Sequence, residues 1–146
     1  MEAAMRKLVC LTLVLGVLAA PIHAQDTREA AVRTPAEKAF ILAQMRLFLG
    51  SIQAISAGAA SGDMKTVATE AAARGRKGTP LSEIPPGMKA KETPAWTAMM
   101  GGARAGFDGI ADAAAQGAAP VKVMGMLGET MRNCVACHQT YRLVEQ

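Results

Sequence analysis

The sequence predicts an all-α protein, an antiparallel four-helix bundle. Three observations carry this: two Thr-Pro pairs that mark helix starts, apolar residues recurring every three or four positions, and no competing strand pattern. Four helical segments joined by short connections and one long one suit such a bundle, an architecture that binds cofactors between facing helices.

The first helix starts at Thr34-Pro35-Ala36-Glu37, where a Ser/Thr-x-x-Glu capping box coincides with proline at the first helical position. It should run from about Pro35 to Ala59, with Ile41, Met45, Phe48, Ile52 and Ile55 forming one buried stripe. Ser61-Gly62-Asp63 breaks it, and Asp63 caps a second helix through Val67 and Ala71 to about Arg74. Gly78 to Glu92 then loses the pattern. It holds Pro80, Pro85, Pro86 and Gly87, and at about 15 residues it is long for a connection in a compact domain, which marks it as functional or wrapped around something.

Thr93-Pro94 repeats the cap-and-proline signature and opens a third helix carrying Trp96, Met99, Met100, Phe107 and Ile110, with a stop near Gly117. Gly101, Gly102, Gly106 and Gly109 lie inside it. Each costs about 1 kcal/mol relative to alanine, so tertiary packing or a nearby cofactor must compensate. Pro120 starts the fourth helix, which passes through Val123, Met126, Leu127 and Met131 and ends near Val144.

Residues 1 to 24 read as a secretory signal peptide. Arg6 and Lys7 supply the positive start, Leu8 to Ala20 the apolar run, and Ile22-His23-Ala24 the small-residue cleavage site. The apolar run has 13 residues, short of the roughly 20 that span a bilayer, so cleavage before Gln25 is expected and stable membrane insertion afterwards is not. Residues 25 to 146 then form one domain with room for one core. This mature chain has 14 basic and 11 acidic residues, a net charge of +3, scattered without a run of like charge. Neither nucleic-acid nor membrane binding is indicated.

Near the end of the fourth helix stands Asn133-Cys134-Val135-Ala136-Cys137-His138, and Cys-x-x-Cys-His is the c-type haem attachment pattern. Two thiols three residues apart on a helix share a face and can form thioethers to the two vinyl groups of one porphyrin. His138, one turn on from Cys134, can ligate the iron from below as the proximal ligand. Zinc binding and thioredoxin-like redox chemistry also use Cys-x-x-Cys, but zinc wants more Cys or His than Cys10 and His23 of the leader, and a thioredoxin-like pair sits at a helix start. A plain disulfide is the remaining alternative. Export agrees with haem, because in a bacterium the covalent attachment is made outside the cytoplasm. The mature aromatics are Phe40, Phe48, Trp96, Phe107 and Tyr141, so the core is rich in small residues and methionine, and a haem would fill volume they leave.

Cys134-Val135-Ala136-Cys137-His138-Gln139-Thr140-Tyr141-Arg142 resembles the Cys-x-x-Cys-His-x-x-Tyr-Arg signature of the class II cytochromes c, which include the cytochromes c′, at the end of the last of four helices. Pro94-Ala95-Trp96 resembles that family's helix-three opening, while the helix-three glycines depart from it. The resemblance implies one covalent haem c with its iron per chain, a periplasmic location and a helix-packed homodimer. It also implies that helix one supplies or leaves open the sixth iron position. Matching Gly58 and Asp63 to the family's turn places Leu42 there, which predicts five-coordinate iron, whereas Met45, one turn away on the same face, would ligate through its thioether. No methionine follows His138, and His138 is the only mature histidine, so bis-histidine ligation within one chain is excluded.

The expected function is non-enzymatic electron transfer with periplasmic redox partner proteins. Arg142, taken as one turn beyond His138, is expected near the proximal imidazole or a haem propionate, and Tyr141 in helix packing. The alternative is an open distal face beside Leu42 that binds nitric oxide or carbon monoxide. Peroxidase turnover is disfavoured, because Lys38 and Gln44 are poor substitutes for a distal acid–base histidine.

Overall fold

The computed structural model describes residues 25–146, so the expected signal peptide lies outside the described residues. In chain order the elements are β1 (Glu29–Arg33), α1 (Pro35–Ser61), α2 (Met64–Arg74), α3 (Pro94–Ala115), α4 (Pro120–Thr140) and β2 (Tyr141–Glu145). Two 3-10 turns, Leu81–Glu83 and Met88–Lys91, interrupt the long connection before α3.

The first three helices start on side-chain caps. The Thr34 hydroxyl accepts from the Glu37 amide while the Glu37 carboxylate accepts from the Thr34 amide, closing the capping box. Asp63 and Thr93 cap α2 and α3 through the amides of Thr66 and Trp96. Helix α1 ends on Gly62, whose φ of 79° belongs to the left-handed region.

The expectation for the C-terminus needs correction. Helix α4 stops at Thr140 rather than near Val144, and Tyr141–Glu145 forms a strand parallel to Glu29–Arg33, with Glu29 opposite Tyr141 and Arg33 opposite Glu145. The bundle is therefore helical with a small two-stranded sheet at one end. Its physical cause is Tyr141. That side chain is buried, meets the Trp96 ring edge-on at 5.2 Å and shares a 2.7 Å hydrogen bond with the Thr93 hydroxyl. Holding it there pulls the chain off the helix axis, and β1 then supplies the backbone partners that α4 no longer provides.

Among the described residues, two apolar clusters fill the interior. The larger joins all four helices through Phe48, Ile55, Val67, Ala71, Phe107, Ile110, Val123 and Leu127. The smaller, beside the sheet, gathers Ala31, Ile41, Met88, Trp96 and Tyr141. The long connection is thus wrapped over the bundle, with Met88 buried in the smaller cluster and Thr79 donating to Gln44. By length and composition α1 could cross a membrane, but its Ile41, Phe48, Ile55 and Ala59 are used in the core.

The glycines of α3 have a packing reason. A methyl on Gly102 would lie 2.7 Å from the Asn133 side-chain oxygen, and one on Gly106 would overlap Thr130, with its Cγ2 only 2.8 Å away. Gly109 faces Met126 at ordinary contact distance, so three glycines spaced along one α3 face receive Met126, Thr130 and Asn133 of antiparallel α4. Gly101 faces open space. We expect Gly106→Ala to destabilise the protein by about 1–2 kcal/mol, overpacking outweighing the better helix propensity. Gly101→Ala should instead stabilise it by about 1 kcal/mol. Urea denaturation of the two variants checks the opposite signs.

Glu37 is buried and holds Lys91 at 2.8 Å besides closing its cap. The Lys91 ammonium, followed by the Thr34 amide, keeps its carboxyl below the ordinary 4.5. Its stabilising contribution is complete above pH 4.5 and is lost as pH falls through the lower folded-state value, because the unfolded chain takes up the proton first. Glu37→Gln should therefore lower stability at neutral pH and flatten the decline below pH 4.5. Parallel wild-type and variant profiles in urea titrations across pH would contradict this.

Candidate functional site

The inward face of α4 is set by Val123, Leu127 and Thr130, buried at spacings of four and three. Continuing that stripe by four and three reaches Cys134 and Cys137, so both thiols lie on the core side of the helix. Both are free and half-buried, and Cys137 packs against the smaller cluster that holds Ile41, Trp96 and Tyr141. Burial pushes both thiols above their ordinary 9.0, with the neighbouring Cys134 adding to the effect at Cys137. A redox-active Cys-x-x-Cys pair needs a stabilised thiolate. These thiols have the opposite electrostatics.

His138 is exposed on the next position round the helix, leaving its ring accessible from outside the core. The surrounding backbone is well held. Arg28 donates through Nη1 to the carbonyls of His138, at 3.1 Å, and Tyr141, at 3.4 Å, and it is itself gripped by Asp26 at 2.7 Å. The hydrogen bond from Arg28 keeps the Asp26 carboxyl down at about 2. A cation at a helix C-terminus satisfies carbonyls without an intrahelical partner and suits the helix dipole. Asp26 and Arg28 carry no signal in the sequence, because they precede any helix start and act across the fold.

Arg142 is corrected in place and company. It lies on β2, not one helical turn beyond His138, and its Nε donates to the Arg28 carbonyl at 3.3 Å. It thereby ties the two strands near their start. Tyr141 packs as expected, but from the strand. Gln44 is buried and accepts from Thr79, while Lys38 pairs with Glu145 at 3.0 Å, so both have structural partners.

The two helix-one residues differ in surroundings. Met45 is partly buried and touches both apolar clusters, including the one that Cys137 joins. Leu42 is 38% exposed and belongs to neither. The large exposed apolar side chains among the described residues are Val32 of β1, three on α1 (Leu42, Leu47, Leu49) and four on α4 (Val121, Met124, Met131, Val135). Met131, Val135 and His138 follow one another at spacings of four and three, so the face of α4 that carries His138 is apolar and uncovered. The chemistry of this donor set fits a haem: two neutral thiols on one helical face, an accessible imidazole one turn on, and apolar surface around them. Zinc fits less well, since the described residues contain no group of three or more His, Cys, Asp or Glu placed to hold a metal ion.

Comparison with family models, curated proteins and solved structures yields no match to this chain.

Protein bearing free thiols should react with iodoacetamide at about pH 8 more slowly than free cysteine, with the rate still rising beyond pH 9.0. Modification faster than free cysteine at neutral pH would identify a thiolate-type redox pair instead.

Proposed function

We propose that this chain is an exported mono-haem c-type cytochrome that transfers single electrons between periplasmic proteins, related to the class II cytochromes c. The observation that carries this reading is Cys134-x-x-Cys137-His138 on the last turns of α4, with both thiols on the core side. Cys134 and Cys137 would hold the haem through thioethers, and His138 would be the proximal iron ligand. Haem c supplies a metal that changes oxidation state by one electron, without a substrate being transformed.

The chain's own residues do the rest. Cys134 and Cys137 would hold the group at two points, beside the exposed apolar strip of α4. Met131 and Val135, exposed on that strip, would give the group an apolar surface, which lowers the local dielectric and so shapes the potential. Arg28 holds the His138 carbonyl, which restrains the backbone from which the imidazole projects. Of the two helix-one candidates, Met45 packs against the cluster that Cys137 joins and Leu42 does not, and this favours Met45 as sixth ligand. Exposed Leu47 and Leu49 on α1 support a helix-packed homodimer. The signal-peptide pattern of residues 1 to 24 supports the periplasmic location.

Denaturing electrophoresis with haem-peroxidase staining should show colour at the mass of residues 25 to 146 plus one haem, and the colour should survive acid–acetone extraction. Extractable colour would sink covalent attachment. With Met45 as ligand, the oxidised protein shows the near-infrared sulfur-to-iron band, and Met45→Ala converts it to high spin with carbon monoxide binding. A wild-type spectrum that is already high spin, and unchanged by Met45→Ala, would reject methionine ligation and move the function to gas binding beside Leu42.

A further inference from the structure

Beside β1, at the sheet end of the bundle, lies a cavity of about 300 Å³. Arg33, Lys91, Thr93, Trp96 and Tyr141 line it, with Glu29 at the opposite end of the strand. Neither cysteine nor His138 belongs to its wall, although Trp96 and Tyr141 of that wall share a cluster with Cys137.

Arg33 is the unusual member. It is only 3% exposed, yet among the described residues its guanidinium forms no ion pair. Its Nη1 donates to the neighbouring Val32 carbonyl at 2.9 Å, its Nε is buried without a partner, and its carbon centre sits 5.1 Å from the Trp96 ring centroid. The nearby acids are engaged elsewhere. Glu145, opposite Arg33 in the strand ladder, gives its carboxylate to Lys38, and Glu37 gives its own to Lys91. Glu29 is exposed and four residues away along β1. A buried cation held only by one carbonyl and a ring face is costly, and the usual remedy is an anion.

We propose that this cavity binds a small organic monocarboxylate, with Arg33 as its counter-ion. Glu37 already neutralises Lys91, and Glu29 stands at the far end of β1, so the Arg33 end of the cavity carries one local positive charge and suits a monoanion. A planar guanidinium matches a carboxylate, and Thr93 and Tyr141, whose hydroxyls are paired with each other, line the same wall. The indole of Trp96 and the methyl of Ala31 select an organic tail over an inorganic ion. The volume stands at the lower end for small-molecule sites, which restricts the tail to a short alkyl group or a single ring.

The test is calorimetric titration of the exported full chain with propionate and benzoate at constant ionic strength, with phosphate and chloride as controls. Saturable binding of one carboxylate per chain is expected. Arg33→Met should weaken it at least tenfold, whereas Arg33→Lys, which keeps the charge but not the planar guanidinium, should give an intermediate loss. The indole N–H resonance of Trp96, the only tryptophan, should shift in parallel with occupancy. That shift and Arg33→Lys keep the test decisive if Arg33→Met does not fold. Absence of saturable binding, equal binding of phosphate, or wild-type affinity in Arg33→Met would each overturn the proposal.

Discussion

Everything at the C-terminal half of this protein depends on how closely α3 approaches α4. At Gly102 and Gly106 the gap is too small for a methyl group, and Asn133 and Thr130 occupy the space that side chains on α3 would have taken. Such an approach fixes α4 in rotation as well as distance, because only one face of that helix fits the glycine surface. Thr130 is held further by its own hydroxyl, which donates to the Met126 carbonyl at 2.8 Å. With that face committed, Val123, Leu127, Cys134 and Cys137 point into the bundle and Met131, Val135 and His138 do not. The propensity lost at the glycines is offset by packing that alanines would have prevented.

A second constraint acts where α4 ends. Tyr141 is held by Trp96 and Thr93, both belonging to the start of α3, so the end of one helix is registered against the beginning of the other. The strands are a consequence. Once the backbone leaves α4, its amides and carbonyls need partners, and β1 stands alongside with Arg28 reaching back to the last helical carbonyls. His138 thus sits at a junction whose backbone is restrained on both sides.

Charge is used sparingly and mostly in support of these joins. Glu37 with Lys91 fastens α1 to the long connection, Lys38 with Glu145 fastens α1 to β2, and Arg76 with Asp108 fastens the end of α2 to α3. The exposed pairs are screened and individually weak, so their role is in register more than in stability. Arg104 follows the same logic, lying 5.5 Å from the Phe48 ring centroid while donating to the Gly75 carbonyl and the Thr79 hydroxyl. Arg33 is the exception, a buried cation with no ion-pair partner among the described residues.

By itself the sequence determined what depends on interactions within one helical turn. The capping box at Thr34, the proline starts after Thr34 and Thr93, the cap at Asp63 and the spacing of Cys134, Cys137 and His138 are all local, and they were legible for that reason. The tertiary structure decided what depends on partners distant in the chain. Arg28 and His138 are 110 positions apart, and no local pattern in Glu29–Arg33 or Tyr141–Glu145 announces that the two segments pair. The same holds for the α3 glycines, whose meaning depends on Asn133 and Thr130, and for Arg142, whose environment changed when the helix ended early. It holds too for Met45 and Leu42, alike as apolar residues one turn apart, which only packing separates into a partly buried side chain and an exposed one.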